Sequence, residues 1–201
     1  MVINFGEAKA SLPEENSGDG TLVPSKKRLH SHLPHIDIRG YYQFVTFRTY
    51  DSIDNYLQKL YDLNLPNRQK QYKIDRYLDS SKKGDYLNSE ILSYLYDFFI
   101  EQDKILYKLI AFCIMPNHVH ILFNPFDKLP KVMQKIKGIS AKEINLILNK
   151  KGRFWANDYY DKAIRDERHF FVTYEYIKNN PLRLEGGTKV PLPRFYGIYE
   201  L

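Results

Sequence analysis

Apolar positions that alternate with a period of two predict three β-strands. They cover Tyr41–Arg48, Leu106–Ile114 and His118–Phe123. The last two are separated only by a short turn that contains Pro116, which predicts a β-hairpin. Along the third strand, side chains alternate between two faces, so every second residue belongs to the same surface.

Apolar positions three and four residues apart predict helices in the rest of the chain. The segment 51–103 is expected to be mostly helical. Another amphipathic helix begins near Leu129, where Gly138 is expected to interrupt it and Ser140–Glu143 offers a capping box for its continuation. A last helix is expected over about Glu167–Asn179, because the proline that follows shortly after stops it.

The ends of the chain differ from its middle. Residues 1–35 lack periodicity and collect glycine, serine and lysine, which predicts a flexible N-terminal arm. Residues 36–201 are long enough for one domain with its own core. The proline-bearing stretch 190–201 is compatible with an edge strand.

The composition indicates the cellular compartment of the protein more clearly than its function. The 201 residues carry 30 Lys and Arg against 24 Asp and Glu, a net charge of +6 that favours an anionic partner only weakly. The single cysteine, Cys113, excludes an internal disulfide and is typical of a reducing compartment. No run of the sequence is long and apolar enough to span a membrane, so we expect a cytoplasmic protein without a membrane partner.

The third strand carries the first candidate chemistry. His118, His120 and Leu122 point to one face and are set among apolar residues. Two imidazoles two residues apart on one face can hold a divalent ion, and burying both without partners would be costly. For an arbitrary pair of this kind, the alternative of satisfied or exposed histidines is the commoner one.

The last predicted helix offers a second group. Tyr176 and Asn180 lie one helical turn apart, so they can present a nucleophile and an oxygen ligand to one site. The simpler interpretation is a surface tyrosine near a helix end. Tyr159 and Tyr160 are the competing candidates for a reactive tyrosine.

Taken together, these residues resemble a known family. The segment Met115–His120 is similar to the HUH motif of the single-tyrosine transposases of insertion sequences and of REP-associated tyrosine transposases. The resemblance extends from about Leu33 onward. It includes the following stretches: Phe44–Arg48, Ser140–Asn145, Trp155 to Asp161, Ile164–Asp166 and Tyr176 to Pro181.

The resemblance implies a fold and a reaction. The fold would be α+β, a ferredoxin-like antiparallel sheet with helices packed on it. By position, His118, His120 and Asn180 match the metal ligands, and Tyr176 matches the nucleophile. The implied activity is metal-dependent cleavage and rejoining of single-stranded DNA, often next to a hairpin, through a 5′-phosphotyrosine intermediate. Mg²⁺ or Mn²⁺ would be the cofactor, and a homodimer is implied as well.

The lysine-rich region 128–151 indicates where DNA would bind. Lysines of the region 128–151 would track the DNA backbone, although a solvated helix face explains the same pattern. The individual residues predicted to contact DNA are Lys137, Trp155 and Arg165.

The main alternative to a transposase is a non-catalytic DNA- or RNA-hairpin-binding protein derived from one. A histidine-triad phosphohydrolase is excluded because Leu122 stands where a third histidine is required.

Overall fold

The computed structural model of the chain describes residues 40–181 and 199–200. The predicted arm 1–35 and most of the stretch 190–201 lie outside the described residues. The elements follow in this order: β1 (Gln43–Arg48), α1 (Asn55–Asp62), α2 (Asn67–Ser80), α3 (Ser89–Glu101), β2 (Tyr107–Ile114), β3 (His118–Pro125), α4 (Leu129–Ile147), β4 (Tyr160–Ala163), α5 (Glu167–Asn179) and β5 (Tyr199–Glu200).

The strands form one sheet in the order β4-β1-β3-β2-β5, and every neighbouring pair is antiparallel. The hairpin β2–β3 and the strand β1 make up its centre, and the short β4 and β5 pair with its two sides. Strands β1 to β4, with helices between β1 and β2 and between β3 and β4, follow the succession of a ferredoxin-like fold. The predicted fold class, α+β with helices on an antiparallel sheet, is therefore confirmed.

The alternation predicted along β3 divides the core in two. Val119, Ile121 and Phe123 pack under α3 and α4 on one face of the sheet. Leu122 packs with residues of α5 on the opposite face, which we call the histidine face because His118 and His120 share it. The same period along β1 places Val45 under α3 and α4 and Phe44 on the histidine face.

One local prediction is wrong. Helix α4 runs unbroken through Gly138, and Ser140 lies inside it rather than at a new N-cap. The Ser140 hydroxyl donates to the carbonyl oxygen of Ile136 at 2.6 Å, a bond typical of serine within a helix. The buried apolar residues on both sides of Gly138, such as Met133 and Ile144, hold the helix against the sheet and override the low helix propensity of one glycine.

Helices α1 and α2 pair through a small apolar cluster of their own, made of Leu57, Leu60, Ile74 and Leu78. The turn between β2 and β3 holds this pair in place. The side-chain nitrogen of Asn117 donates to the carbonyl oxygens of Leu78 and Ser81, both at 3.0 Å, at the end of α2. One buried amide thus ties α2 to the strand that carries the histidines.

Helix α5 begins where the sequence predicts. Asp166 is its N-cap, and its side chain accepts a hydrogen bond from the backbone N–H of His169 at 2.7 Å. Phe170 and Ile177 bury the side of α5 that faces β2 and β3. None of the helices that the structure describes is long and apolar enough to cross a membrane.

Candidate active site

The two histidines of β3 lie side by side beneath α5. Both side chains are completely buried, and their Nε2 atoms are 3.1 Å apart. Nδ1 of His118 lies 2.7 Å from Oδ1 of Asn117, and Nδ1 of His120 lies 2.8 Å from Oγ1 of Thr46. The outer nitrogen of each ring, Nδ1, therefore has a hydrogen-bond partner, and the two inner nitrogens, Nε2, face each other.

Asn117 also sets the tautomer of His118. Because its side-chain nitrogen donates to two carbonyl groups, the orientation of the amide is fixed. Oδ1 of Asn117 then accepts the hydrogen on Nδ1 of His118, and Nε2 of His118 carries a lone pair. Burial, reinforced by the positive Arg48, lowers the pKa of His118 to about 3. The ring is neutral near pH 7, as a metal ligand must be.

The histidine pair fits one divalent cation. A first-row metal ion binds histidine nitrogen at roughly 2.1 Å, so two such ligands at right angles lie about 3 Å apart. Oδ1 of Asp79 on α2 lies 3.7 Å from Nε2 of His118. Across residues 40–181 and 199–200, no three His, Cys, Asp or Glu side chains form a complete metal site. A cation here would therefore need an oxygen ligand from a further group.

Asn180, the predicted third ligand, lies at the C-terminal end of α5. Its side chain is completely buried, and neither amide atom has a hydrogen-bond partner among the described residues. An unsatisfied buried polar group costs about 1–3 kcal/mol, so a ligand that binds this amide would recover free energy. The amide makes no hydrogen bond to either histidine.

Tyr176 approaches the histidines from the last turn of α5. Its ring meets the ring of His120 edge to face with centroids 5.3 Å apart, and the ring of Phe44 in the same way at 5.8 Å. The hydroxyl of Tyr176 donates to Oδ2 of Asp75 at 2.7 Å. The structure thus brings the predicted nucleophile to the predicted metal ligands.

The two competing tyrosines are less well placed. Tyr159 is buried on the opposite face of the sheet, among residues under α3 and α4. Tyr160 shares the histidine face, but its strand pairs with β1 at Thr46, and Thr46 pairs with His120. Two strand spacings, about 10 Å of backbone, therefore separate Tyr160 from His120.

Three charged residues beside the histidines belong to none of the predicted site motifs. Asp75 and Asp79 lie one turn apart on α2 beside the apolar residues that bind α1, and both turn towards the site. Arg48 ends β1 opposite His118, and its buried Nη1 has no hydrogen-bond partner in the described part of the chain. The spacing of two carboxylates in an otherwise basic helix was the available signal for the first two.

Trp155 lies in the core rather than on a base-stacking surface. Its side chain is 3% exposed, and its ring contacts the rings of Phe47 and Phe154, both with centroids 4.8 Å away. Its indole N–H donates to the hydroxyl of Ser140 at 2.9 Å, which fastens the chain after α4 to the middle of that helix. The predicted DNA contact therefore does not agree with its surroundings.

Lys137, another predicted DNA contact, is half-buried and bonded to the protein's own backbone. Its Nζ donates to the carbonyl oxygens of Ala156 and Asn157 at 2.5 and 2.7 Å. Burial lowers the pKa of Lys137 to about 8. It lines a cavity of about 370 Å³ between α4 and the segment 152–159, away from the histidines.

Arg165 lies close to the histidine face. It is exposed just before α5, and Lys162 on β4 is paired with Phe44 of that face. Burial, followed by the positive charges of Arg68 and Arg165, lowers the pKa of Lys162. The lysine-rich helix α4, in contrast, packs on the opposite face.

We expect Trp155→Ala to destabilise the fold by about 3–5 kcal/mol, because it empties a large aromatic site in the core. Urea unfolding followed by circular dichroism would measure this, because Trp155 is the only tryptophan and its loss removes the fluorescence signal. Phe126→Ala, at a side chain that is 58% exposed, is the control and should change stability by less than about 0.5 kcal/mol. Unchanged stability with lost DNA binding in Trp155→Ala would restore the base-stacking assignment.

Comparison with known proteins identifies the family of the chain through a sequence model. No curated protein sequence matches the chain significantly. One similar solved structure is a REP-associated tyrosine transposase bound to a REP hairpin, with 16% identity, a TM-score of 0.47 and coverage of 78% of this chain and 75% of that one. Another, from Deinococcus radiodurans R1, is described only as a candidate transposase, with 18% identity, a TM-score of 0.38 and coverage of 73% and 98%. The sequence model described as "Transposase IS200 like" matches residues 70–180, more than half of the chain. The chain therefore belongs to the IS200-like transposase family, a family of DNA-processing enzymes.

Proposed function

We propose that this transposase cleaves and rejoins single-stranded DNA with the help of a divalent metal ion, through a covalent 5′-phosphotyrosine on Tyr176. The observation that carries the proposal is the position of Tyr176, whose ring lies 5.3 Å from that of His120 beside the paired Nε2 atoms. A nucleophile next to two imidazoles that can hold a metal ion suits phosphoryl transfer.

His118 and His120 would hold the cation through their Nε2 atoms. Asn180 is the proposed oxygen ligand, because its buried amide lacks a partner in the described part of the chain, and Asp79 is a second source of oxygen. Mn²⁺ or Mg²⁺ suits a set of imidazole and oxygen ligands. When bound, the metal ion would polarise the scissile phosphate and offset the charge on the departing 3′ oxygen.

Tyr176 would attack the phosphorus atom and keep the 5′ phosphate as an ester, which frees a 3′ hydroxyl. Because the tyrosyl ester conserves the energy of the phosphodiester bond, rejoining needs no nucleotide cofactor. Phe44 and His120 hold the tyrosine ring by edge-to-face contacts, so its hydroxyl is oriented before the substrate binds.

Cations on the histidine face would bind the DNA strand. Arg48 has a buried Nη1 without a partner in the described part of the chain, which suits a contact to the scissile phosphate. Lys162 and Arg165 lie nearer the solvent and would bind flanking phosphates. A hairpin substrate is proposed because the motifs Met115–His120 and Tyr176 to Pro181 resemble those of transposases that cleave single-stranded DNA next to a hairpin.

The proposal is tested by incubating the protein with Mn²⁺ and a labelled library of single-stranded DNA hairpins whose flanking arms are randomised. We expect a protein–DNA adduct that survives denaturing electrophoresis, and sequencing of the trapped DNA would give the cleavage site. Hairpin binding without any adduct, unaffected by chelator, would contradict catalysis and favour the non-catalytic binding protein.

A further inference from the structure

We infer that Asp75 is the general base of the proposed reaction, the group that takes the proton from the Tyr176 hydroxyl as it attacks the DNA. The inference rests on the proposed function and adds a residue from α2. The hydroxyl of Tyr176 already donates to Oδ2 of Asp75 at 2.7 Å. A general base must lie within hydrogen-bond reach of the proton that it removes.

The carboxylate is held for this purpose. Asp75 is 4% exposed, and its Oδ1 accepts a hydrogen bond from Nε2 of Gln71 at 2.7 Å, one turn earlier on α2. With Oδ1 occupied by Gln71, Oδ2 faces Tyr176. The amide of Asn117 ties the end of α2 to the histidine strand, which keeps Asp75 near the histidine pair.

The chemistry requires such a group. A tyrosine hydroxyl has a pKa near 10, so at neutral pH it attacks only as its proton leaves. The histidines cannot take that proton when their Nε2 lone pairs bind a cation. Asp75 is the carboxylate that the structure places in hydrogen-bond contact with Tyr176.

The step balances without a further reactant. The O–H bond of Tyr176 breaks, its proton moves to Oδ2 of Asp75, and the new O–P bond forms. The P–O3′ bond breaks, and the 3′ oxygen leaves with the bonding electron pair and takes a proton from water. In rejoining, a 3′ hydroxyl loses its proton to water and attacks phosphorus, and the departing tyrosyl oxygen recovers its proton from Asp75.

The test is Asp75→Asn, which keeps an oxygen that can accept the Tyr176 hydrogen bond but cannot accept its proton. In single-turnover assays with Mn²⁺ and the trapped hairpin, we expect adduct formation to slow by about 10²–10⁴-fold, with unchanged hairpin affinity. Asp97→Asn, an exposed carboxylate on α3, is the matched control and should react at the wild-type rate.

A second measurement separates proton transfer from mere positioning. Ring-fluorinated tyrosine at position 176 has a more acidic hydroxyl, so it should recover much of the rate lost in Asp75→Asn and change the wild-type rate little. Wild-type speed or faster reaction in Asp75→Asn, or a slow rate that fluorination does not recover, would overturn the role of Asp75. Absence of the adduct in the wild-type protein would instead overturn the proposed function itself.

Discussion

Tyr176→Phe should bind hairpin DNA as the wild-type protein does and form no detectable covalent adduct. The substitution removes only the attacking oxygen, and loss of a covalent nucleophile costs on the order of 10⁶-fold in rate. The phenyl ring keeps its contacts with Phe44 and His120, so the site should stay folded. The lost hydrogen bond to the buried Asp75 carboxylate should lower stability by about 1–3 kcal/mol.

The measurement is denaturing electrophoresis of labelled hairpin DNA after incubation with Mn²⁺. Tyr160→Phe is the sharpest control because Tyr160 shares the histidine face and contacts Phe44 at 6.3 Å between ring centroids. Tyr159→Phe controls for the opposite face of the sheet. Both should form the adduct. An adduct in Tyr176→Phe, or its loss in Tyr160→Phe alone, would move the nucleophile elsewhere.

His118→Ala and His120→Ala should each abolish tight Mn²⁺ binding and, with it, adduct formation. Each variant removes one of two nitrogens that converge at 3.1 Å, and a single imidazole is a weak site for a divalent ion. Calorimetric titration of the wild-type protein should give one Mn²⁺ per chain. Chelation of the metal should stop the reaction, and added Mn²⁺ should restore it.

Two further variants should weaken Mn²⁺ binding without removing a histidine. Thr46→Val and Asn117→Ala remove the groups that hold the outer nitrogens of the histidines, so Mn²⁺ affinity should fall by about 10–100-fold. Asp79→Asn measures whether the nearby carboxylate contributes a ligand. Adduct formation that continues at full rate in excess chelator would exclude the metal-dependent mechanism.

The strands and the amphipathic helices could be predicted because the spacing of their apolar residues is visible within each element. Alternation along β3 separated His118 and His120 from Val119 and Ile121, and burial on both sides of the sheet then fixed that register. The break at Gly138 was predicted wrongly because local propensity is weak against the burial of a whole helix face.

The site was predicted in part for the same reason. Motif spacing gave the histidine pair and Tyr176, since each belongs to one short element. Trp155 was predicted to stack on DNA bases because aromatic character alone does not show whether a side chain is buried. Only its contacts with Phe47 and Ser140 placed it in the core.

By itself, the sequence determined which residue types stand one strand period or one helical turn apart: the two histidines on β3, and Tyr176 with Asn180 on α5. Only the tertiary structure decided what meets them. Asp75 and Asp79 belong to α2, about 40 residues before the histidines in the chain. Asn117 holds α2 next to the histidines through hydrogen bonds to the carbonyl groups at its end. Contacts between distant segments depend on the packing of the whole core, which no local spacing records.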